Sequence, residues 1–186
     1  MSLNQKVFRL TKQESPKDIK QFEEPIPKIN EYEVLIKVKA VSLNFRDFAI
    51  ATNKYPFPVK DNVVPLSDGS GTVVEVGEKV VGLKKGDNVI GNFDASNIFG
   101  PQKTWNYGHG GPIDGFLRQY IALPATVATK IPDESKLTFP QMAALVATGV
   151  TAYNALYGNL PLKPGQTVLH FKVSCWVVVN KAIDVH

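Results

Sequence analysis

Short stretches in which hydrophobic and polar residues alternate, separated by glycine and proline, most limit what this chain can fold into. The clearest stretch is residues 33–43, where one face carries Val34, Ile36, Val38 and Ala40 and the other carries Lys37 and Lys39. A period of two predicts a strand that is buried on one side. Residues 72–76, 87–90 and 116–123 have the composition of further short strands. The pattern therefore predicts a mainly β barrel or sandwich with few helices.

Three helices are predicted from local signals. Thr138 and Gln141 have the spacing of a capping box, with a proline inside the first turn of the helix that follows. A second helix is predicted over residues 150–157, closed by the glycine that comes next. A short helix fits residues 45–51, with Asn44 as its N-cap.

Composition excludes several classes of protein. The net charge is +4 and the pI is about 9.1, but basic and acidic residues are interspersed, and Lys84-Lys85 is the only close basic pair. Nucleic-acid binding calls for a basic patch, so we expect no nucleic-acid partner. A single cysteine, Cys175, excludes an internal disulfide and fits a reducing compartment. No signal-like or membrane-length apolar run occurs, so we expect a cytoplasmic protein with no membrane partner.

Three stretches, in this order, resemble the zinc-independent branch of the medium-chain dehydrogenase/reductase superfamily, which includes quinone oxidoreductases and enoyl reductases. They are residues 41–47 (VSLNFRD), 65–77 (PLSDGSGTVVEVG) and 143–152 (AALVATGVTA). The resemblance implies a GroES-like, partly open β-barrel that supplies the substrate side of an active-site cleft. It also implies that a Rossmann-type domain supplies NADPH or NADH on the other side.

The positions that hold catalytic zinc in metal-dependent relatives carry other residues here. Zn²⁺ prefers thiolate and imidazole ligands. By resemblance, Asn44 stands at the cysteine position, Ser67 at the histidine position, and Asp68 at the acidic position beside it, while the later cysteine falls near Ala144. We therefore expect no zinc. The histidines lie far apart in the sequence and are predicted to be surface or loop imidazoles; they are His109, His170 and His186.

Without zinc, hydrogen-bond donors must stabilise the oxyanion that forms as hydride arrives, which suits quinones and conjugated carbonyls. We hypothesise that the Asn44 amide donates to that oxygen and that Tyr55 donates a hydrogen bond or a proton. Asn44 as an ordinary N-cap and Tyr55 as an exposed loop aromatic are the alternatives. Arg46 is predicted to face cofactor phosphates or a substrate anion; the alternative is an arginine of the helix that faces solvent. The resemblance implies that Thr148 lies near the nicotinamide carboxamide; the alternative is that Thr148 caps the following helix.

The glycine-rich segment 108–111 invites comparison with a phosphate-binding loop. No G-x-G-x-x-G spacing can be read through it, and no Gly-Lys-Ser/Thr follows. We therefore predict a flexible loop at the rim of the barrel.

The end of the chain departs from the family pattern. We predict a substrate domain over residues 1–163 and the start of a nucleotide-binding domain over 164–186, with its first strands at 166–169 and 176–179. No glycine follows Gly165, whereas a dinucleotide site needs a glycine-rich turn after its first strand. We expect a truncated, frame-shifted or alternatively spliced end, and weak NADPH or NADH binding by this chain alone.

The sequence thus predicts an NAD(P)H-dependent oxidoreductase that transfers hydride to a quinone or an α,β-unsaturated carbonyl, incomplete in this chain. The alternative is a non-catalytic barrel module that binds a partner or pairs with a full-length relative. A homodimer or a heterodimer is compatible with either function.

Overall fold

A hairpin at the N-terminus opens the fold. The structure, a computed structural model, describes residues 3–168. Strands β1 (Asn4–Leu10) and β2 (Ile19–Pro25) pair antiparallel and are joined through a 3₁₀ turn at Pro16–Asp18. This hairpin was not predicted from the sequence, because most of β2 is exposed and its residues show no clear alternation.

An antiparallel sheet forms the centre of the described residues. Its strands lie in the order β6-β3-β4-β5-β7. They are β3 (Glu33–Ser42), β4 (Asp68–Val76), β5 (Asn88–Gly91), β6 (Tyr120–Pro124) and β7 (Ala128–Lys130). Because β6 and β7 are the two edges and do not pair with each other, the barrel stays open, as predicted.

Strand β3 is less regular than its sequence pattern suggests. Its register against β4 shifts between Leu35 and Ile36 and again between Val38 and Ala40. Such bulges increase local twist and help a sheet to curl. Leu35 is buried as well as Ile36. The side of β3 that was predicted to face solvent is therefore exposed mainly at Lys37.

The three predicted helices are confirmed. They are α1 (Phe45–Ala51), α2 (Phe139–Ala144) and α3 (Val150–Tyr157), and a π-helical turn at Leu145–Gly149 connects α2 to α3. In the capping box of α2, the Thr138 backbone N–H donates to Gln141 Oε1 at 2.9 Å. No helix in the described part of the chain is long and apolar enough to cross a membrane.

Two predicted strands need correction. The strand predicted over 116–123 begins only at Tyr120, because the preceding residues turn to the N-terminal hairpin, where Phe8 N donates to Leu117 O at 3.0 Å. The described residues 166–168 do not form the predicted strand. Residue 169 and the strand predicted over 176–179 lie outside the described residues, as do Cys175, His170 and His186.

Phe116 occupies the inside of the sheet against two glycines. Its side chain is 1% exposed. A Cβ atom placed on Gly69 of β4 or on Gly91 of β5 would lie 2.2 Å from an atom of the Phe116 ring. Glycine is required at both positions because the ring lies directly on the strand backbone.

We predict that Gly69→Ala lowers the free energy of unfolding by about 1–3 kcal/mol, because the new methyl group overpacks the core against Phe116. The matched control is Gly149→Ala, whose methyl group would meet the half-exposed Leu145 side chain at 3.1 Å in a helical segment. Urea unfolding measures both. A double mutant with Phe116→Leu should recover part of the loss, and equal losses with and without Phe116 would contradict the prediction.

Candidate functional site

The carboxylate of Asp68 brings together three segments that are distant in sequence. Its Oδ1 accepts a hydrogen bond from Ser67 Oγ at 2.7 Å, and its Oδ2 accepts from the Ala147 backbone N–H at 3.2 Å. Burial raises the Asp68 pKa, and the Asn44 amide, which lies beside the carboxylate, partly opposes that rise. Asp68 is fully buried. The three stretches that resemble one superfamily therefore meet at one buried side chain.

Asn44 lies at the N-terminus of α1, as predicted for an N-cap. Its backbone N–H donates to Asp47 Oδ2 at 2.7 Å, which fixes the first turn of the helix. The side-chain nitrogen Nδ2 is buried and makes no hydrogen bond of standard geometry with residues 3–168, although it is near Asp68. The N-cap position thus does not use the amide N–H groups, which stay available to another acceptor.

A second buried carboxyl group, Asp47, lies on the same helix. It is 8% exposed, and its Oδ1 has no hydrogen-bond partner within the described residues. Burial raises the pKa of Asp47 to about 7, against the hydrogen bond from Asn44 and the charge of Arg46, while the nearby Asp68 raises it further. Burial also raises the pKa of Asp68, opposed by hydrogen bonds that include one from Ser67.

Leu66, directly before the Ser67-Asp68 pair, has an unusual backbone. Its φ is 73°, in the left-handed region that bulky residues rarely adopt, and its side chain is 2% exposed. Such strain persists only where the surroundings enforce it. Gly110 and Gly115 provide these surroundings, because a Cβ on either would lie within 2.6 Å of the Leu66 backbone.

The prediction of a flexible loop at the rim for residues 108–111 is wrong. All four residues are buried, and the backbone passes directly against Leu66. The glycines of this segment could have indicated its burial, since glycine is common where two backbone segments approach closely.

His109 was predicted to be a surface or loop imidazole. It lies in a loop, but the prediction of a surface position is wrong, because the residue is only 3% exposed. The His109 backbone N–H donates to Phe93 O, and Nδ1 lies 3.0 Å from Asp114 O. Burial lowers the pKa of His109. Its burial comes from backbone hydrogen bonds, which no side-chain pattern reveals.

Arg46 and Tyr55 are in direct contact. Arg46 Nε donates to Tyr55 Oη at 3.0 Å, and Arg46 Nη1 donates to His109 O at 2.8 Å. Both residues are half-buried, so neither is the freely solvated side chain of the alternative interpretations. The catalytic role of Tyr55 and the cofactor-binding role of Arg46 stay predictions.

Thr148 is exposed in the π-helical turn, next to the Ala147 N–H that binds Asp68. It is not the cap of the following helix, since Gly149 occupies that position. π-helical turns are often found at functional sites. The contact of Thr148 with a nicotinamide stays a prediction.

A pocket of about 410 Å³ lies beside α1. Asn44 and Asp47 are its polar members, and hydrophobic side chains of the hairpin, of α1 and of the 65–66 turn form the rest of its wall. A small apolar ligand with one oxygen that accepts hydrogen bonds would match this lining.

The residues at the metal positions of zinc-dependent relatives do not fit zinc. An amide at Asn44 and a hydroxyl at Ser67 replace thiolate and imidazole, and Asp68 already accepts two hydrogen bonds. Across residues 3–168, no three His, Cys, Asp or Glu side chains come together in a cluster that could hold a metal ion.

We predict that Asp47 makes the protein less stable as the pH rises. In the unfolded chain this carboxyl group loses its proton near pH 4, whereas in the folded protein it keeps the proton up to about pH 7. Between these values the folded state binds more protons, so Asp47 lowers the free energy of unfolding by at most about 1.4 kcal/mol per pH unit.

Asp47→Asn should therefore gain stability relative to the wild type as the pH rises from about 4 to 7. Urea unfolding at a series of pH values measures this difference. The exposed Asp61→Asn variant, as the control, should run parallel to the wild type. A constant difference between Asp47→Asn and the wild type across this pH range would contradict the assignment.

The sequence matches the family described as the alcohol dehydrogenase GroES-like domain over residues 30–133. It is similar to the zinc-type alcohol dehydrogenase-like protein C1773.06c of Schizosaccharomyces pombe, with 41% identity over 76% of this chain and 42% of that protein. It is also similar to the trans-enoyl reductase mycC of Thermothelomyces thermophilus, with 35% identity over 90% of this chain and 44% of that protein.

Among solved structures, the fold is similar to that of a quinone oxidoreductase from Pseudomonas syringae pv. Tomato DC3000. The TM-score is 0.68 at 23% identity, and the match covers 87% of this chain and 43% of that one. The chain thus spans less than half the length of these relatives. It belongs to the alcohol dehydrogenase GroES-like domain family, within the medium-chain dehydrogenase/reductase superfamily that its three sequence stretches predicted.

Proposed function

We propose that this chain forms the substrate side of an NAD(P)H-dependent oxidoreductase that transfers hydride, without zinc, to a quinone or an α,β-unsaturated carbonyl. The buried Asn44 amide supports this proposal most directly, because its Nδ2 donates to no acceptor within residues 3–168. A buried donor without a partner costs about 1–3 kcal/mol. A ligand oxygen that accepts from Asn44 would recover this free energy.

The chemistry of conjugated acceptors suits such a donor. When hydride adds to an α,β-unsaturated carbonyl or a quinone, an electron pair moves to the oxygen, which becomes an enolate or a hydroquinone anion. A fixed, neutral N–H group stabilises that charge without a metal ion. The Asn44 backbone is held by the first turn of α1, which keeps the residue next to the pocket.

Two carboxyl groups near this oxygen would repel it if both were ionised. Burial raises the pKa of Asp47 to about 7 and also raises that of Asp68. A neutral Asp47 at the wall of the pocket removes one source of repulsion and leaves a proton close to the substrate oxygen. The reaction should thus be favoured on the acid side of pH 7.

The pocket itself favours a small apolar substrate. Its volume of about 410 Å³ and its hydrophobic lining fit a quinone or a short enone. The trans-enoyl reductase among the relatives is named for an enoyl group, which is a conjugated carbonyl. Because another relative is named alcohol dehydrogenase-like, it is the Asn44 amide rather than these names that favours conjugated carbonyls over simple alcohols.

NADPH or NADH would supply the hydride. Thr148 is exposed in the π-helical turn that binds Asp68, and so it can contact a nicotinamide amide from the outside. Tyr55 is proposed as a second donor to the substrate, and Arg46 as the residue that links Tyr55 to α1. The proposed contact of Arg46 with cofactor phosphates would need one of its N–H groups to turn outward.

A second candidate function is a non-catalytic barrel module that binds a protein partner or pairs with a longer relative. The exposure of α3 favours it, since no residue of this helix is buried within residues 3–168. Three of its large side chains are more than half exposed, namely Val150 at 64%, Tyr153 at 68% and Tyr157 at 52%. Apolar surfaces of this kind commonly mark interaction sites.

We predict that Asn44→Ser weakens binding of duroquinone about fivefold, the usual cost of one lost hydrogen bond, because the serine hydroxyl is one bond closer to the backbone than the amide nitrogen that it replaces. Duroquinone is a suitable probe because every ring position is methylated, so the thiol of Cys175 cannot add to it. Serine keeps an N-cap residue, so the free energy of unfolding should change by less than about 1 kcal/mol.

Nuclear magnetic resonance titration of the side-chain NH₂ signals measures this binding. The Asn44 signal should move in the wild type, and the exposed Asn159→Ser variant should bind as the wild type does. Equal affinity of the Asn44→Ser variant and the wild type would contradict the proposal. A lowered stability with unchanged affinity would support the ordinary N-cap instead.

The second candidate function, a non-catalytic barrel module that pairs through α3, predicts a different result. We expect Tyr153→Glu to abolish a concentration-dependent dimer in sedimentation experiments if α3 is the pairing surface, because the new charge would be buried. The Asn44→Ser variant should leave the dimer unchanged. A monomer at all concentrations would contradict pairing between copies of this chain.

A further inference from the structure

Arg46 reaches from α1 into a cage of aromatic rings and backbone. Its guanidinium carbon lies 4.9 Å from the centre of the Tyr55 ring and 4.8 Å from that of the Phe93 ring. Its Nε donates to Tyr55 Oη at 3.0 Å, and its Nη1 donates to His109 O at 2.8 Å. Both rings face the cation at distances typical of cation–π contacts. The guanidinium is therefore fixed in orientation by several contacts at once.

The direction of the hydrogen bond to Tyr55 follows from chemistry alone. A guanidinium group has only donors, so Tyr55 Oη must be the acceptor. The hydroxyl hydrogen of Tyr55 prefers the plane of its ring and has two positions there. Because Arg46 Nε–H already donates to this oxygen, the hydroxyl hydrogen points away from Arg46. We propose that Arg46 is a positioning residue that holds Tyr55 as a hydrogen-bond donor, an inference that rests on the proposed function of Tyr55.

Two glycines make room for this arrangement. A Cβ on Gly111 would lie 2.5 Å from Arg46 Nη2, and one on Gly108 would lie 3.4 Å from the same atom. Arg46 Nη2 is buried and has no hydrogen-bond partner among residues 3–168. The guanidinium thus rests against bare backbone, which gives the buried glycine segment 108–111 a role in seating Arg46.

The acceptor of the second hydrogen bond is fixed as well. The His109 backbone N–H donates to Phe93 O at 3.0 Å, and its ring Nδ1 lies 3.0 Å from Asp114 O. His109 O therefore has a set position toward Arg46. A lysine at this position would have one compact ammonium group in place of the planar guanidinium. It could not donate to both Tyr55 Oη and His109 O with the same geometry.

On its far side Tyr55 is supported by other rings. Phe57 packs edge-on against it, with 5.4 Å between the ring centres, and Trp105 stacks on Phe57 at 4.9 Å. Trp105 is 46% exposed, so this row of rings leads from the half-buried arginine to the surface. The Tyr55 ring thus contacts both Phe57 and Arg46.

Nuclear magnetic resonance of the full chain with ¹³C-labelled tyrosine tests this role without any substrate. In Arg46→Met, the Tyr55 Cζ signal should shift toward that of a free tyrosine, and its ring should flip about tenfold faster, because a charged hydrogen bond is lost. Arg46→Lys should give an intermediate result. Lys79→Met is the matched control: Lys79 Nζ lies 5.2 Å from the Tyr32 ring centre, so only Tyr32 signals should change.

Tyr55→Phe provides a second variant that keeps the arginine. It removes only the acceptor, so the Arg46 Nε–H proton should exchange with solvent about tenfold faster. If Arg46→Met does not fold, this measurement decides alone. An unchanged Tyr55 signal in folded Arg46→Met, or an unchanged Arg46 Nε–H exchange rate in Tyr55→Phe, would overturn the proposal. If these changes occur but Tyr55→Phe binds duroquinone normally, the positioning stands and the function proposed for Tyr55 fails.

Discussion

The buried carboxylate of Asp68 is the constraint on which the arrangement of this domain depends. A carboxylate inside a protein is tolerated only when donors surround it. Asp68 accepts hydrogen bonds from two of them, the Ser67 hydroxyl beside it and the Ala147 N–H of the π-helical turn, and the Asn44 amide lies nearby without a hydrogen bond of standard geometry. Through one side chain the start of β4, the start of α1 and the connection between α2 and α3 are held together. The same side chain leaves the Asn44 amide next to a pocket.

Glycine gives the rest of the site its shape. Leu66 adopts a strained backbone directly before Ser67 and Asp68, and glycine at 110 and 115 lets the chain pass close to it, because a Cβ at either position would collide with the Leu66 backbone. Glycine at 111 likewise seats Arg46. Strain and close backbone approach in one region are typical of sites whose geometry serves a function rather than stability.

Local signals in the sequence predicted the helices well. Asn44 and Thr138 mark the starts of α1 and α2, and Gly158 marks the end of α3, since caps are determined by near neighbours. The hairpin of β1 and β2 was missed, because β2 is mostly exposed and its residues show no clear alternation. Burial of His109 was missed for a different reason, as it depends on backbone contacts between segments far apart in sequence.

Resemblance identified the positions of the candidate site but not the contacts between them. Asn44 was predicted as a donor, and the structure adds that its Nδ2 has no partner within the described residues. The infrared carbonyl band of duroquinone bound to this chain tests the central claim most directly. The account predicts a band at lower frequency than in an apolar solvent, with the shift lost in Asn44→Ser; a band at the apolar-solvent frequency in the wild type would contradict it.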